Sequence, residues 1–233
     1  MSDQDPIVIV SAARTPMAGM QGDFAAVQAP QLGAGAIEAA LQRAGISGDD
    51  VDEVIMGNVL GAGQGQAPAR QASKGAGIPD AVGATTINKM CGSGMKATMF
   101  GHDLLVAGSA NVIVTGGMES MTNAPYLLPN ARGGMRLGHG DVKDSMFLDG
   151  LEDAYDKGLP MGVFAEQTAQ HYQFTREQQD AYAIESLTRA QGVIAQADAP
   201  APCLSFALEP VDQFPPVIGK ERRITWLGTA VAE

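Results

Sequence analysis

Cysteine is scarce: Cys91 and Cys203 are the only two in 233 residues. Two thiols make no disulfide framework, and the expectation is a reducing compartment, the cytoplasm. Basic residues are few as well, 15 Lys and Arg against 26 Asp and Glu, for a net charge of −11. Nucleic acid is bound by basic surfaces, so this balance argues against it as a partner. A local pocket for a small phosphorylated ligand stays open. No apolar run approaches the ~20 residues that a membrane helix needs. The start, "MSDQDPIVIV", is acidic and has only a short apolar run, unlike a signal peptide; the expectation is no membrane. Aromatics are 5%, with a single Trp, while Gly numbers 29 and Met 12. A core of small and flexible side chains follows, with backbones packed closely. Hydrophobic residues at 45% and charged residues at 18% suffice for one large domain, or one domain with an insertion.

The first half alternates between two periodicities. "IVIV" at Ile7 to Val10 is a buried-strand run. Leu32, Ala36, Ile37, Ala40, Leu41 and Ala44 recur at helical spacing, and Gly45 is placed to stop that helix. "VDEVIMGNVL" returns to strand character, "APARQASKGAG" to helix, and "ATTINKM" to strand. Met95, Met99 and His102 to Val106 indicate a helix running to Gly108, and "NVIVTGG" a further strand. The alternation reads as α/β with a largely parallel sheet. After Glu119 the chain turns rich in Gly, Asn and Pro, over a stretch longer than an ordinary connection. Two helices follow. One spans Pro160 to Tyr172. The other starts at Thr175, where Thr175 and Gln178 fit a capping box, and Ile184, Leu187, Ala190 and Ile194 mark its buried stripe. Five of the 13 prolines then fall between Ala199 and Pro216, and the last stretch holds the Trp and a small basic cluster.

The turn "NKMCGSGMKA", residues 88–97, lies between a strand and a helix. The first N–H groups of a helix are unpaired and partly positive, so a thiol placed there tends towards thiolate. Gly92 and Gly94 admit close approach of a substrate, and the free N–H groups suit an acyl oxyanion. Cys91 is thus a candidate nucleophile. The bland alternative is a small buried hydrophobe. A rival reading takes Gly92, Gly94 and Ala97 as a dinucleotide fingerprint, G-x-G-x-x-G/A. Against it, the turn closes the third strand rather than the first, and the nearest acidic candidate, Glu119, lies somewhat too far on.

The same turn followed by "VTGGMESMTNAPYLLP" resembles the thiolase family, nearest to its acetyl-CoA C-acetyltransferase branch. The likeness includes "SAARTP", "GNVLGAGQGQAPARQ", "RGGMRLGHG", "FLDGLEDAYDKG" and "PMGVFAEQTAQHYQFTREQQDAYAIESLTRAQ". It runs collinearly over about residues 6–196. The resemblance implies a layered α/β fold, of which this is the first half, with an inserted loop domain. Its domains would be 1–119, bearing the nucleophile; 120–198, a loop domain for oligomerisation and coenzyme A binding; and 199–233, a divergent Pro-rich tail. Because the likeness stops near Ala197, the sheet is expected to be incomplete and the chain a truncated or frame-shifted thiolase.

The implied chemistry is condensation of two acetyl-CoA to acetoacetyl-CoA, or the reverse thiolysis, through an acyl group on Cys91. Covalent catalysis divides the carbon–carbon step in two. The Cys91 N–H would help hold the thioester oxygen. Leu151 and Met161 match apolar positions lining the acyl and pantetheine pocket. The partners would be acyl-CoA substrates and further copies in a dimer or tetramer. No cofactor is implied beyond the coenzyme A thioester as substrate, and no metal. The family's second half carries Asn-Glu-Ala-Phe, Gly-His-Pro and Cys-x-Gly motifs, absent from these 233 residues. Cys203 lacks the flanking glycines of the catalytic base, and His102, His139 and His171 read as structural or solvated. Losing the second half would expose the face of Met95, Met99 and Leu104. A non-catalytic fragment serving as a binding or oligomerisation module is the alternative function.

Overall fold

The computed structural model describes residues 7–196, 223–227 and 230–232. Four strands follow the alternation: β1 (Val8–Ala13), β2 (Glu53–Gly57), β3 (Gly83–Ile87) and β4 (Val112–Ser120). The helices between them are α1 (Ala29–Ala44), α2 (Pro68–Gly75) and α3 (Ser93–Ala107). β5 (Tyr126–Leu127) and β6 (Lys143–Asp144) form a small antiparallel pair after β4. A π-helical turn, Phe147–Leu151, leads to α4 (Met161–His171) and α5 (Arg176–Gln196). Two last strands are β7 (Arg223–Leu227) and β8 (Ala230–Ala232).

The main sheet runs β1-β7-β4-β2-β3, with β8 beside the end of β4, and every pair in it is parallel. The side-chain period of two sends alternate residues of each strand to opposite faces. Val54 and Met56 of β2 and Val114 and Met118 of β4 face one way. They meet Ala36, Ile37, Ala40 and Leu41 of α1 and Ala69 and Ala72 of α2 in one buried cluster. Ile113 faces the other way and packs with Leu105 of α3 and with Ala110. The sheet therefore carries helices on both faces, and its core is made largely of alanine and valine, as the shortage of aromatics requires.

Local signals hold closely. α1 and α3 stop at Gly45 and Gly108, whose φ of 63° and 73° lies in the left-handed region that favours glycine. At the start of α5 the Gln178 N–H donates to Thr175 Oγ1 at 3.3 Å, and the Thr175 N–H to Gln178 Oε1 at 2.9 Å. The capping box read at Thr175 is formed.

Three expectations are corrected. The sheet does not lack the strand between its halves: Arg223 to Trp226 pair with β1 on one side and β4 on the other. "RITWL" combines β-branched and aromatic residues, a composition that suits a strand. Cys203 and residues 197–222 lie outside the described residues. The expected buried stripe of α5 is not buried: Ile184 is 65% exposed, Leu187 58%, and Ala190 is also exposed. The helical period was right, but no other described residue covers that face; the Ile194 side chain lies outside the described residues. Leu104, expected on the exposed face of α3, is half-buried against the Leu105 cluster. Met95, Met99 and Phe100 of α3 are exposed, as expected for the first two.

Candidate active site at the turn between β3 and α3

The C-terminal ends of β2, β3 and β4 share one edge of the sheet, where open α/β sheets place their ligand crevices. Cys91 is there, in the turn Asn88–Gly92 that joins β3 to α3, and its thiol is free and exposed. The bland reading, a buried cysteine serving as core, is thereby excluded. No described residue accepts a hydrogen bond from the Cys91 N–H. An exposed sulfur beside an unused backbone donor is what attack on a thioester and stabilisation of its oxyanion require.

The residue before it, Met90, has φ of 50°, in the left-handed region that a methionine rarely adopts. Its N–H donates to Asn88 Oδ1 at 2.9 Å. Its carbonyl accepts from the Ser93 N–H at 2.9 Å and from Ser93 Oγ at 2.6 Å. The two glycines of the motif differ in role. A Cβ on Gly92 would meet nothing nearer than the Lys89 carbonyl at 3.6 Å, so that side of the turn is open to an approaching molecule. A Cβ on Gly94 would meet Gly117 N at 3.4 Å and Gly116 C at 3.5 Å. Gly94 therefore serves contact between α3 and β4, not substrate approach as expected. Ala97 is fully buried in the same helix, a packing role that the third position of the dinucleotide fingerprint also has.

Glu119, the acid too far on for a dinucleotide fingerprint, has another role. Its Oε1 accepts from Asn58 Nδ2 at 2.8 Å and from the Leu60 N–H at 3.0 Å, and its Oε2 from the Val59 N–H at 2.8 Å. The carboxylate thus pins the loop after β2 to the end of β4. This role has no signature in sequence, since the two segments meet only in the sheet. Burial pushes the Glu119 carboxyl above its ordinary value of 4.5, and the Val59 and Leu60 N–H groups pull it part of the way back. A carboxyl raised on folding contributes stability that is fully present below pH 4.5 and lost as pH rises through the folded value. Denaturant melts taken across the window just above pH 4.5 are expected to show this decline, and Glu119→Gln to flatten it.

The remaining candidates fall into two groups. Leu151 ends the π-helical turn and Met161 begins α4, each next to one residue of the isolated antiparallel bridge Glu152–Pro160. Near them Lys143, Asp144, Phe147, Leu148, Glu152 and Lys157 line an open groove of about 420 Å³. The histidines are not gathered at the thiol. His102 lies 3.4 Å from its neighbour Asp103 on the exposed side of α3, His171 meets Tyr172 edge-on, and His139 is exposed in the loop. Among the described residues no three His, Cys, Asp or Glu side chains group as a metal site, and no helix is long and apolar enough to cross a membrane.

Comparison with known proteins follows the same lines. The family model described as thiolase, N-terminal domain, matches residues 7–198. The acetyl-CoA acetyltransferase of Schizosaccharomyces pombe is 50% identical over 189 residues, 81% of this chain and 48% of that protein. A cytosolic acetyl-CoA acetyltransferase of Gibberella zeae is 47% identical, over 82% of this chain and 48% of its own. A mitochondrial one of Xenopus laevis is 49% identical, over 83% and 47%. Among solved structures, the Acat5 thiolase of Ascaris suum in complex with coenzyme A superposes with a TM-score of 0.76 at 40% identity, over 81% of this chain and 48% of that one. The chain spans about half the length of the curated relatives it matches. An α/β sheet with helices on both faces, a thiol at its C-terminal edge and a match over most of the chain lead to one assignment: this chain belongs to the thiolase family.

Proposed function

We propose that this chain carries the nucleophile half of a thiolase-type acyltransferase. In the synthetic direction Sγ of Cys91 attacks the thioester carbonyl of acetyl-CoA, the coenzyme A thiol leaves, and an acetyl thioester remains on the protein. The carbanion of a second acetyl-CoA then displaces Cys91 to give acetoacetyl-CoA; thiolysis is the reverse. Leu151 and Met161, each next to one residue of the Glu152–Pro160 bridge, contribute apolar surface for the acyl and pantetheine portion. Residues 1–119 carry the nucleophile and 120–198 serve as the loop domain; 199–233 lie outside the matched family region, although Arg223–Leu227 joins the main sheet. Coenzyme A thioesters enter as substrates rather than as a resident cofactor, and the reducing compartment suited to Cys91 is the cytoplasm. The observation that carries the reading is the exposed Cys91 thiol in its left-handed turn, within the matched domain.

The 233 residues hold no Gly-His-Pro tripeptide and no counterpart of the second catalytic cysteine. A positioned general base contributes about 10²–10⁴-fold, so acylation without appreciable turnover is expected from this chain by itself. Incubation with acetyl-CoA, followed by intact-mass and peptide mass spectrometry, tests the first step; an acetoacetyl-CoA cleavage assay tests the second. A single acetyl group on Cys91 supports the proposal, and a folded chain that takes none refutes it.

The exposed Met95, Met99 and Phe100 favour a second reading, a module that works by association rather than catalysis. Homo-oligomers are expected under both readings. Light scattering of the purified chain is expected to report species larger than a monomer, and a monodisperse monomer would count against association.

A further inference from the structure

We propose that Ser93 is a positioning residue for Cys91, acting through the left-handed backbone of Met90; the proposal rests on the reading of Cys91 as the nucleophile. Met90 has φ of 50° although the residue is 47% exposed, so burial does not hold the conformation. Hydrogen bonds around the residue do. The Ser93 hydroxyl accepts from the Lys89 N–H at 2.8 Å and donates to the Met90 carbonyl at 2.6 Å. It thus spans Met90 from both sides, using the donor and acceptor capacities that only a hydroxyl offers in so small a volume.

The hydroxyl is itself fixed in place. Ser93 is 5% exposed and sits against Gly57 at the end of β2. A Cβ on Gly57 would lie 2.5 Å from Ser93 Cβ and 2.7 Å from Gly94 N. The path from sheet to sulfur therefore runs from Gly57 to Ser93, to Met90, to Cys91. Strained backbone held by its surroundings recurs at catalytic positions, because it aims one group at the expense of local relaxation.

The experiment measures the second-order alkylation rate of Cys91 by iodoacetamide in the full chain, with peptide mass spectrometry separating Cys91 from Cys203. Circular dichroism checks folding, and acetylation by acetyl-CoA is followed in parallel. Ser93→Ala is expected to slow alkylation of Cys91 about fivefold, the population shift that loss of hydrogen bonds of ordinary net strength produces. Adding Met90→Gly to Ser93→Ala is expected to restore the rate to within about twofold, because glycine adopts positive φ without steric cost. A residue that served only packing would gain nothing from Met90→Gly. An unchanged rate in Ser93→Ala, or a lowered rate that Met90→Gly leaves low, overturns the proposal. If Ser93→Ala does not fold, recovery of both fold and rate in the double variant supports it, and a double variant still unfolded overturns it. Alkylation of Cys91 without acetylation in the unmodified chain would defeat the acyltransferase reading while leaving the role of Ser93 measurable.

Discussion

Cys91→Ser is expected to leave the chain unacetylated by acetyl-CoA. The substitution keeps the size of the side chain and the turn that presents it, so exposure and backbone geometry are unchanged. What changes is the nucleophile. A thiol ionises within reach of neutral pH and is strongly nucleophilic as thiolate, whereas a hydroxyl needs a base to take its proton as it attacks. No histidine hydrogen-bonds position 91 among the described residues; His102 is 3.4 Å from Asp103 and His171 is against Tyr172. The thiolate can attack without a base, whereas serine lacks the base it needs, one that where present supplies about 10²–10⁴-fold, so acetylation is expected to fall below detection by intact-mass spectrometry. Cys203 serves as the internal control. An acetyl group appearing there at the rate seen on Cys91 in the unmodified chain would show indiscriminate chemistry, and the special role of Cys91 would be lost.

Gly57→Val is expected to destabilise the fold and to disable the thiol together. Gly57 ends β2 directly beneath the first turn of α3, and even a methyl there would approach Ser93 C at 2.6 Å. Both elements are anchored elsewhere, β2 between β3 and β4 and α3 through the buried Leu105. Neither can retreat cheaply. Overpacking of a close-packed contact costs 1–3 kcal/mol and occasionally more, and the two methyl groups of valine add to the clash, so a loss upwards of about 3 kcal/mol is expected. Urea denaturation reads the first effect and alkylation of Cys91 the second. Wild-type stability in Gly57→Val would show that α3 does not sit on β2 as described.

The legible part of this protein was the part encoded over short stretches. Gly45 and Gly108 stop their helices because the chain must turn into left-handed φ just there, and Thr175 with Gln178 caps α5 through bonds only three residues apart. The strand, glycine-rich turn and helix around Cys91 could be read for the same reason, and the collinear motifs carried the family. Contacts between distant segments could not be read. Spacing alone counted Glu119 out as the acid of a dinucleotide site, but its actual role was not legible: the sheet sets β4 beside the loop after β2, where its carboxylate is used up by Asn58, Val59 and Leu60. The apolar period of α5 was right and its burial was not, because period fixes which residues share a face and says nothing of what covers it.

From the sequence alone came the alternation of strand and helix, the small-residue core and the cysteine at the head of a helix. Each follows from periodicity, volume or local backbone preference. The tertiary structure decided what that cysteine can do. It seated Ser93 on Gly57, gave Gly94 to packing and left Gly92 open, and held Met90 left-handed so that the thiol stands free at the edge of the sheet. It also slotted Arg223–Leu227 between β1 and β4. These outcomes depend on which backbones lie against one another, and that is settled only when the sheet is assembled.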